Sequence, residues 1–76
     1  MIPRRLKIRF TDKFGLDMVD AFVESNALGL GTAYRADDKQ VVYVKVLPSP
    51  GTEYSILKEQ LDAWVKDGLL TYDEQT

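Results

Sequence analysis

The chain contains no cysteine and no histidine. Without cysteine it can build neither a disulfide framework nor a thiolate metal site. Without histidine it lacks the commonest general acid–base and the commonest metal ligand together. Ser25, Ser49 and Ser55 therefore have no imidazole to activate them, and no lysine is placed as an evident base. Apolar runs are short as well, and none approaches the ~18–20 residues of a membrane span. The N-terminal MIPRRLKIRF carries early positive charge, but polar residues interrupt the apolar core that a signal peptide requires. These absences predict a cytoplasmic, non-enzymatic protein with no membrane association, no cofactor and no tightly bound metal.

What is present describes one small domain spanning 1–76. With 45% hydrophobic and 29% charged residues, the composition is that of a globular chain and not a disordered one. A chain of this length buries only about 60% of the surface its unfolded form exposes, so the core is thin and each core residue weighs heavily. The net charge of −2 gives little bulk attraction to nucleic acid. How the charge is distributed is more telling than its sum.

In residues 40–47 (QVVYVKVL), Val42, Val44 and Val46 fall on one side of an extended strand. Val41, Tyr43, Lys45 and Leu47 fall on the other, which is expected to be the exposed side. Residues 5–11 (RLKIRFT) alternate in the same way, with Leu6, Ile8 and Phe10 opposite Arg5, Lys7 and Arg9. Between 15 and 27 the period changes. Leu16, Val19, Phe22, Val23 and Ala27 form an apolar stripe at helical spacing, with Asp17, Asp20 and Glu24 on the solvated side. Thr11 or Asp12 is expected to cap this helix, and Asn26 and Gly29 to end it.

A weaker strand at 31–36 (GTAYRA) and a turn at 37–40 complete a hairpin that sets Tyr34 opposite or diagonal to Tyr43. The run 47–51 (LPSPG) then breaks the strand, because proline lacks the amide a ladder needs. Tyr54, Leu57, Leu61 and Trp64, with Val65 beside them, mark a second helix capped by Thr52 or Ser49. Asp62 and Lys66 are spaced to pair along it, and Gly68 sits where a left-handed terminal residue belongs. Residues 69–72 read as a short last strand, and the final DEQT as a frayed tail.

The order β-α-β-β-α-β predicts an α+β, ferredoxin-like sandwich. Its sheet has four antiparallel strands, with strands one and three central and both helices on one face. The alternative keeps three strands beneath the two helices. The helices leave the other face open, and there the sequence places Arg5, Lys7, Arg9, Tyr34, Tyr43 and Lys45. Tyr72 is expected to join from the edge, and no strand acid is expected to point there. Mixed signs are the usual composition of an inert surface. A basic, tyrosine-bearing face suits an anionic partner, since tyrosine gives contact area at low entropic cost and arginine binds carboxylate or phosphate through two bonds.

The partner expected first is an acidic protein surface. A free-standing acidic domain this small, beginning at its initiating Met, suits an accessory or inhibitor protein such as a phage or mobile element encodes. Single-stranded nucleic acid is the alternative, because bases stack on sheet-borne aromatics while basic groups follow the phosphates. The topology is similar to that of the RNA-recognition module, but QVVYVKVL lacks that module's Gly-Phe aromatic pattern on strand three. Residues 12–16 (DKFGL) resemble the strand-to-helix turn of ACT-type regulatory domains, with Phe14 in place of the usual proline. That resemblance implies a small-molecule regulatory domain, which would form a homodimer through its sheet or helices. Gly29-Leu30-Gly31 precedes a strand and not a helix, so it is a connection and not a phosphate-binding turn.

Overall fold

The computed structural model describes residues 4–46 and 53–75. Among the described residues the order is β1 (Arg4–Phe10), α1 (Leu16–Glu24), β2 (Thr32–Arg35), β3 (Val41–Val46), α2 (Glu53–Lys66) and β4 (Leu70–Gln75). The strands form a four-stranded sheet in the order β2-β3-β1-β4, every pairing antiparallel. This is the ferredoxin-like arrangement, with the two most regularly alternating strands at its centre. Leu6, Ile8 and Phe10 of β1 and Val42, Val44 and Val46 of β3 are buried. They share one core cluster with Val19 and Phe22 of α1 and Leu57 and Leu61 of α2, so both helices cover the same face. No described helix is long and apolar enough to cross a membrane.

The last strand, both helical stripes and the cap of α1 differ from expectation. The last strand does not end at 72; β4 pairs with β1 as far as Arg5↔Gln75. Asp, Glu and Gln are poor strand formers in isolation. Here the ladder to β1 and the bonds that Glu74 accepts from Tyr54 and Lys58 of α2 override that preference. Charged residues on an edge strand also discourage pairing with other chains.

The first helix is shorter than the stripe suggested, because the chain leaves it through a left-handed turn. Asn26, Ala27 and Leu28 have φ of 54°, 55° and 63°, followed by Gly29 at 77°. Such a conformation costs roughly 1–2 kcal/mol per non-glycine residue. The complete burial of Ala27 offsets this, and so do three side-chain bonds. The Ser25 hydroxyl donates to Phe22 O and accepts from Leu28 N–H, while Asn26 Oδ1 accepts from Ala33 N–H. Leu16, counted in the stripe, is 52% exposed at the other end.

Neither expected side chain caps α1. Gly15 occupies the N-cap with no side-chain bond. Thr11 Oγ1 instead donates to the carbonyls of Gly68 (2.8 Å) and Leu69 (3.0 Å), and Asp12 accepts from Gln40 Nε2 at 2.7 Å. Both oxygens tie the end of β1 to neighbouring loops.

In α2, Leu57 and Leu61 are fully buried, Tyr54 and Trp64 are half-buried, and Val65 is exposed, contrary to its place in the stripe. Trp64 packs edge-on against Phe14 (5.2 Å between ring centres) and Phe22 (6.1 Å). Asp62 accepts from Tyr72, the partner it has across the packing. The expected caps Ser49 and Thr52, the break at 47–51 and the outward Leu47 lie outside the described residues.

Candidate functional site

The face away from the helices is a grid set by the sheet register. One row across β2, β3, β1 and β4 reads Thr32, Lys45, Arg5, Gln75. The next reads Tyr34, Tyr43, Lys7, Asp73, and the third places Val41, Arg9 and Thr71 side by side. All six residues assigned to this face by sequence, Arg5, Lys7, Arg9, Tyr34, Tyr43 and Lys45, occupy it together. Tyr34 and Tyr43 are directly opposed and stacked, with ring centres 5.7 Å apart and planes at 25°. Lys45 Nζ lies 5.8 Å from the Tyr34 ring centre on the same face. Arg5, Tyr34, Tyr43 and Gln75 line a shallow depression of about 310 Å³.

Four features of this face differ from expectation. Asp73 stands on it opposite Lys7, so a strand acid does point there. Its presence follows from the unforeseen length of β4. Arg9 Nη1 lies 3.5 Å from Asp38 Oδ2 in the β2–β3 turn. Val41, expected to be exposed, is buried on this face opposite Arg9. Tyr72 is absent from the face. Its register partner is Ile8, and it points toward α2, where its hydroxyl donates to Asp62.

Burial pushes the Tyr72 phenol up to about 12 from its ordinary value of 10.0, and the bond to Asp62 adds to the effect. Tyr54, on the same side of the sheet, is also raised, first by burial and then by its bond to Glu74. The Tyr54 hydroxyl in turn holds the Glu74 carboxyl below the usual range, with Lys58 contributing. Arg4 lies 4.8 Å over the Tyr54 ring. These groups fasten β4 to α2.

The other sequence candidates dissolve into structure. Asp20, assigned to a solvated face, forms an ion pair with Arg35 of β2. Among the described residues no group of three or more carboxylates is placed to hold a metal ion. The ACT-like turn borders a cavity of about 60 Å³ lined by Thr11, Asp12, Gly15, Leu16, Val19 and Gln40. Pockets for drug-sized ligands run from about 300 to 1,000 Å³, and this one lies well below that range. Sequence reasoning missed a wider hollow of about 470 Å³ on the helix side, between Leu28 and Leu30 and the Ile56, Glu59, Gln60 and Ala63 side of α2. Its signal in the sequence was an apolar residue, Ile56, one position off the stripe of Tyr54, Leu57, Leu61 and Trp64. It also missed Thr71, Asp73 and Gln75, which a period-two reading carried through the final DEQT would have found.

No protein-family model, curated protein or solved structure matches the chain.

Proposed function

We propose that the chain is a cytoplasmic, non-enzymatic interaction protein whose open sheet face binds an acidic surface of a protein partner. The observation that carries this reading is the convergence of Arg5, Lys7, Tyr34, Tyr43 and Lys45 on one uncovered face of a protein whose net charge is −2. The basic groups are held by central strands, so they are positioned by the ladder and not by loops. Two tyrosines beside them offer rigid, amphipathic contact area of the kind that anchors interfaces.

The tyrosine geometry favours a protein over single-stranded nucleic acid. Bases need ring faces turned outward as platforms. Here Tyr34 and Tyr43 are stacked on each other, and Lys45 lies over Tyr34, so ring faces are already occupied within the molecule. Asp73 on the same face further disfavours a continuous phosphate backbone.

Enrichment of partners with three versions of the protein, followed by calorimetry with the purified partner, tests the reading. The wild type and an Ile56→Glu variant in the helix-side hollow are expected to bind alike. A Tyr43→Ser, Lys45→Glu variant should lose at least about 2 kcal/mol of binding free energy, the cost typical of a central anchor. Loss of binding in the Ile56 variant alone would move the working surface to the helix side. Retention of mixed oligonucleotides, with a steep fall in affinity as salt rises, would replace the protein partner with nucleic acid.

A further inference from the structure

The open face is not uniformly cationic, and its two ends differ. At one end Arg9 is engaged by Asp38, and in the middle row Lys7 stands opposite Asp73. At the other end Arg5 and Lys45 are each other's cross-strand partner, flanked in their row by Gln75 and Thr32. Among the described residues neither forms an ion pair.

The ladder makes this juxtaposition close. Phe10 N–H donates to Gln40 O at 2.7 Å, so the even positions of β1 are the hydrogen-bonded pairs with β3. Arg5 and Lys45 then form a non-hydrogen-bonded pair, the kind in which opposed side chains approach most closely. Like charges directly opposite each other destabilise a sheet. A bound anion between them would relieve that repulsion.

We propose that the Arg5–Lys45 pair is the anchor of the face, a subsite for a carboxylate side chain on an acidic segment of the protein partner. This rests on the reading of the open face as the partner-binding surface. The guanidinium of Arg5 offers two parallel donors to the carboxylate, and Lys45 supplies the second charge. Tyr34, Tyr43 and Gln75, which line the depression beside Arg5, supply its wall and further polar groups. A separated carboxylate fits better than a run of phosphates, because Asp73 lies one row away and repels the next charge along the strand direction. The opposite end is a poorer anchor, since an incoming anion must displace Asp38 from Arg9.

The test is a titration of the isotopically labelled protein at low salt, following backbone amides. The probe is a peptide of alternating glutamate and glycine, with an oligothymidylate of equal charge for comparison. Peptide-induced shifts are expected to be largest at Arg5, Tyr34 and Lys45. Arg5→Gln together with Lys45→Gln should weaken binding about tenfold or more. Arg9→Gln should change it less than about twofold. The Arg5→Gln variant should also melt no lower than wild type, because it removes a repulsive pair.

Shifts that centre on Arg9 and survive Arg5→Gln would overturn the anchor while leaving the open face as the binding surface. A peptide that moves amides only on the helices, or none at all, would overturn both. Tighter binding of oligothymidylate would overturn the choice of carboxylate. A clear drop in the melting point of Arg5→Gln would remove the argument from repulsion.

Discussion

The four tyrosines of this chain divide into two pairs on opposite sides of one sheet, and the sides treat them differently. Tyr54 and Tyr72 lie between β4 and α2, each donating its hydroxyl to a carboxylate of the neighbouring element. Tyr34 and Tyr43 lie on the uncovered side, stacked on each other beside Lys45, Lys7 and Arg5. The first pair closes the structure by fixing an edge strand of weak strand propensity to a helix. The second pair links β2 to β3 on the side away from both helices. A residue type is thus structural or available according to which side of the sheet it occupies. In a domain this small, the side chains left over from folding are a meaningful guide to what works.

Breaking the packed side should have the largest effect. Trp64 fills the gap between Phe14 and Phe22. Trp64→Ala should cost about 3 kcal/mol, the low end for such truncations because the ring is half-buried. Against a total stability of about 5–15 kcal/mol, that is a large share. Denaturant unfolding checks it, and a variant indistinguishable from wild type would mean that the ring is not a core anchor.

Substitutions at the tyrosines of the packed side should have effects of intermediate size. Tyr72→Phe should cost about 0.5–1.5 kcal/mol, toward the lower value because the bond to Asp62 is exposed. The pH dependence identifies the cause. The folded Tyr72 value lies above its ordinary 10.0, so its contribution is complete below pH 10 and is lost as pH rises through about 12. Glu74 behaves in the opposite sense. Its folded value is lowered by the Tyr54 hydroxyl, so its contribution is present above the ordinary 4.5 and fades as pH falls through the lower folded value. Stability curves should therefore lose part of their alkaline slope in Tyr72→Phe and part of their acid slope in Tyr54→Phe. Unchanged slopes would show that the two hydroxyls do not fasten β4.

Much of this fold was legible in the sequence, because alternation is a strong signal where one side of a strand is buried. The faces of β1 and β3 follow directly from RLKIRF and VVYVKV, and only the burial of Val41 on the open face was not foreseen. The order of elements then leaves few topologies. What was not legible depended on partners distant in sequence. Thr11 and Asp12 have the chemistry of caps, but the fold offers them carbonyls and an amide elsewhere. The tail DEQT reads as frayed until a neighbouring strand and a tyrosine from α2 are there to hold it. The candidate face was legible in its residues but not in its charge balance. Asp73 arrives with the longer β4, and Asp38 reaches Arg9 from a turn 29 residues away.

The smallest effect on stability, and the largest on binding, should come from the open side. Two double variants are compared by melting point and by affinity for the glutamate–glycine peptide. Tyr34→Thr with Tyr43→Thr keeps strand propensity and removes one cross-strand pair, so it should lower stability by about 0.2–1 kcal/mol. Its affinity should fall about tenfold or more. Tyr54→Phe with Tyr72→Phe should do the reverse, melting lower while binding the peptide as wild type does. If the packed-side variant loses the peptide while the open-side variant keeps it, the open sheet face is not the binding surface.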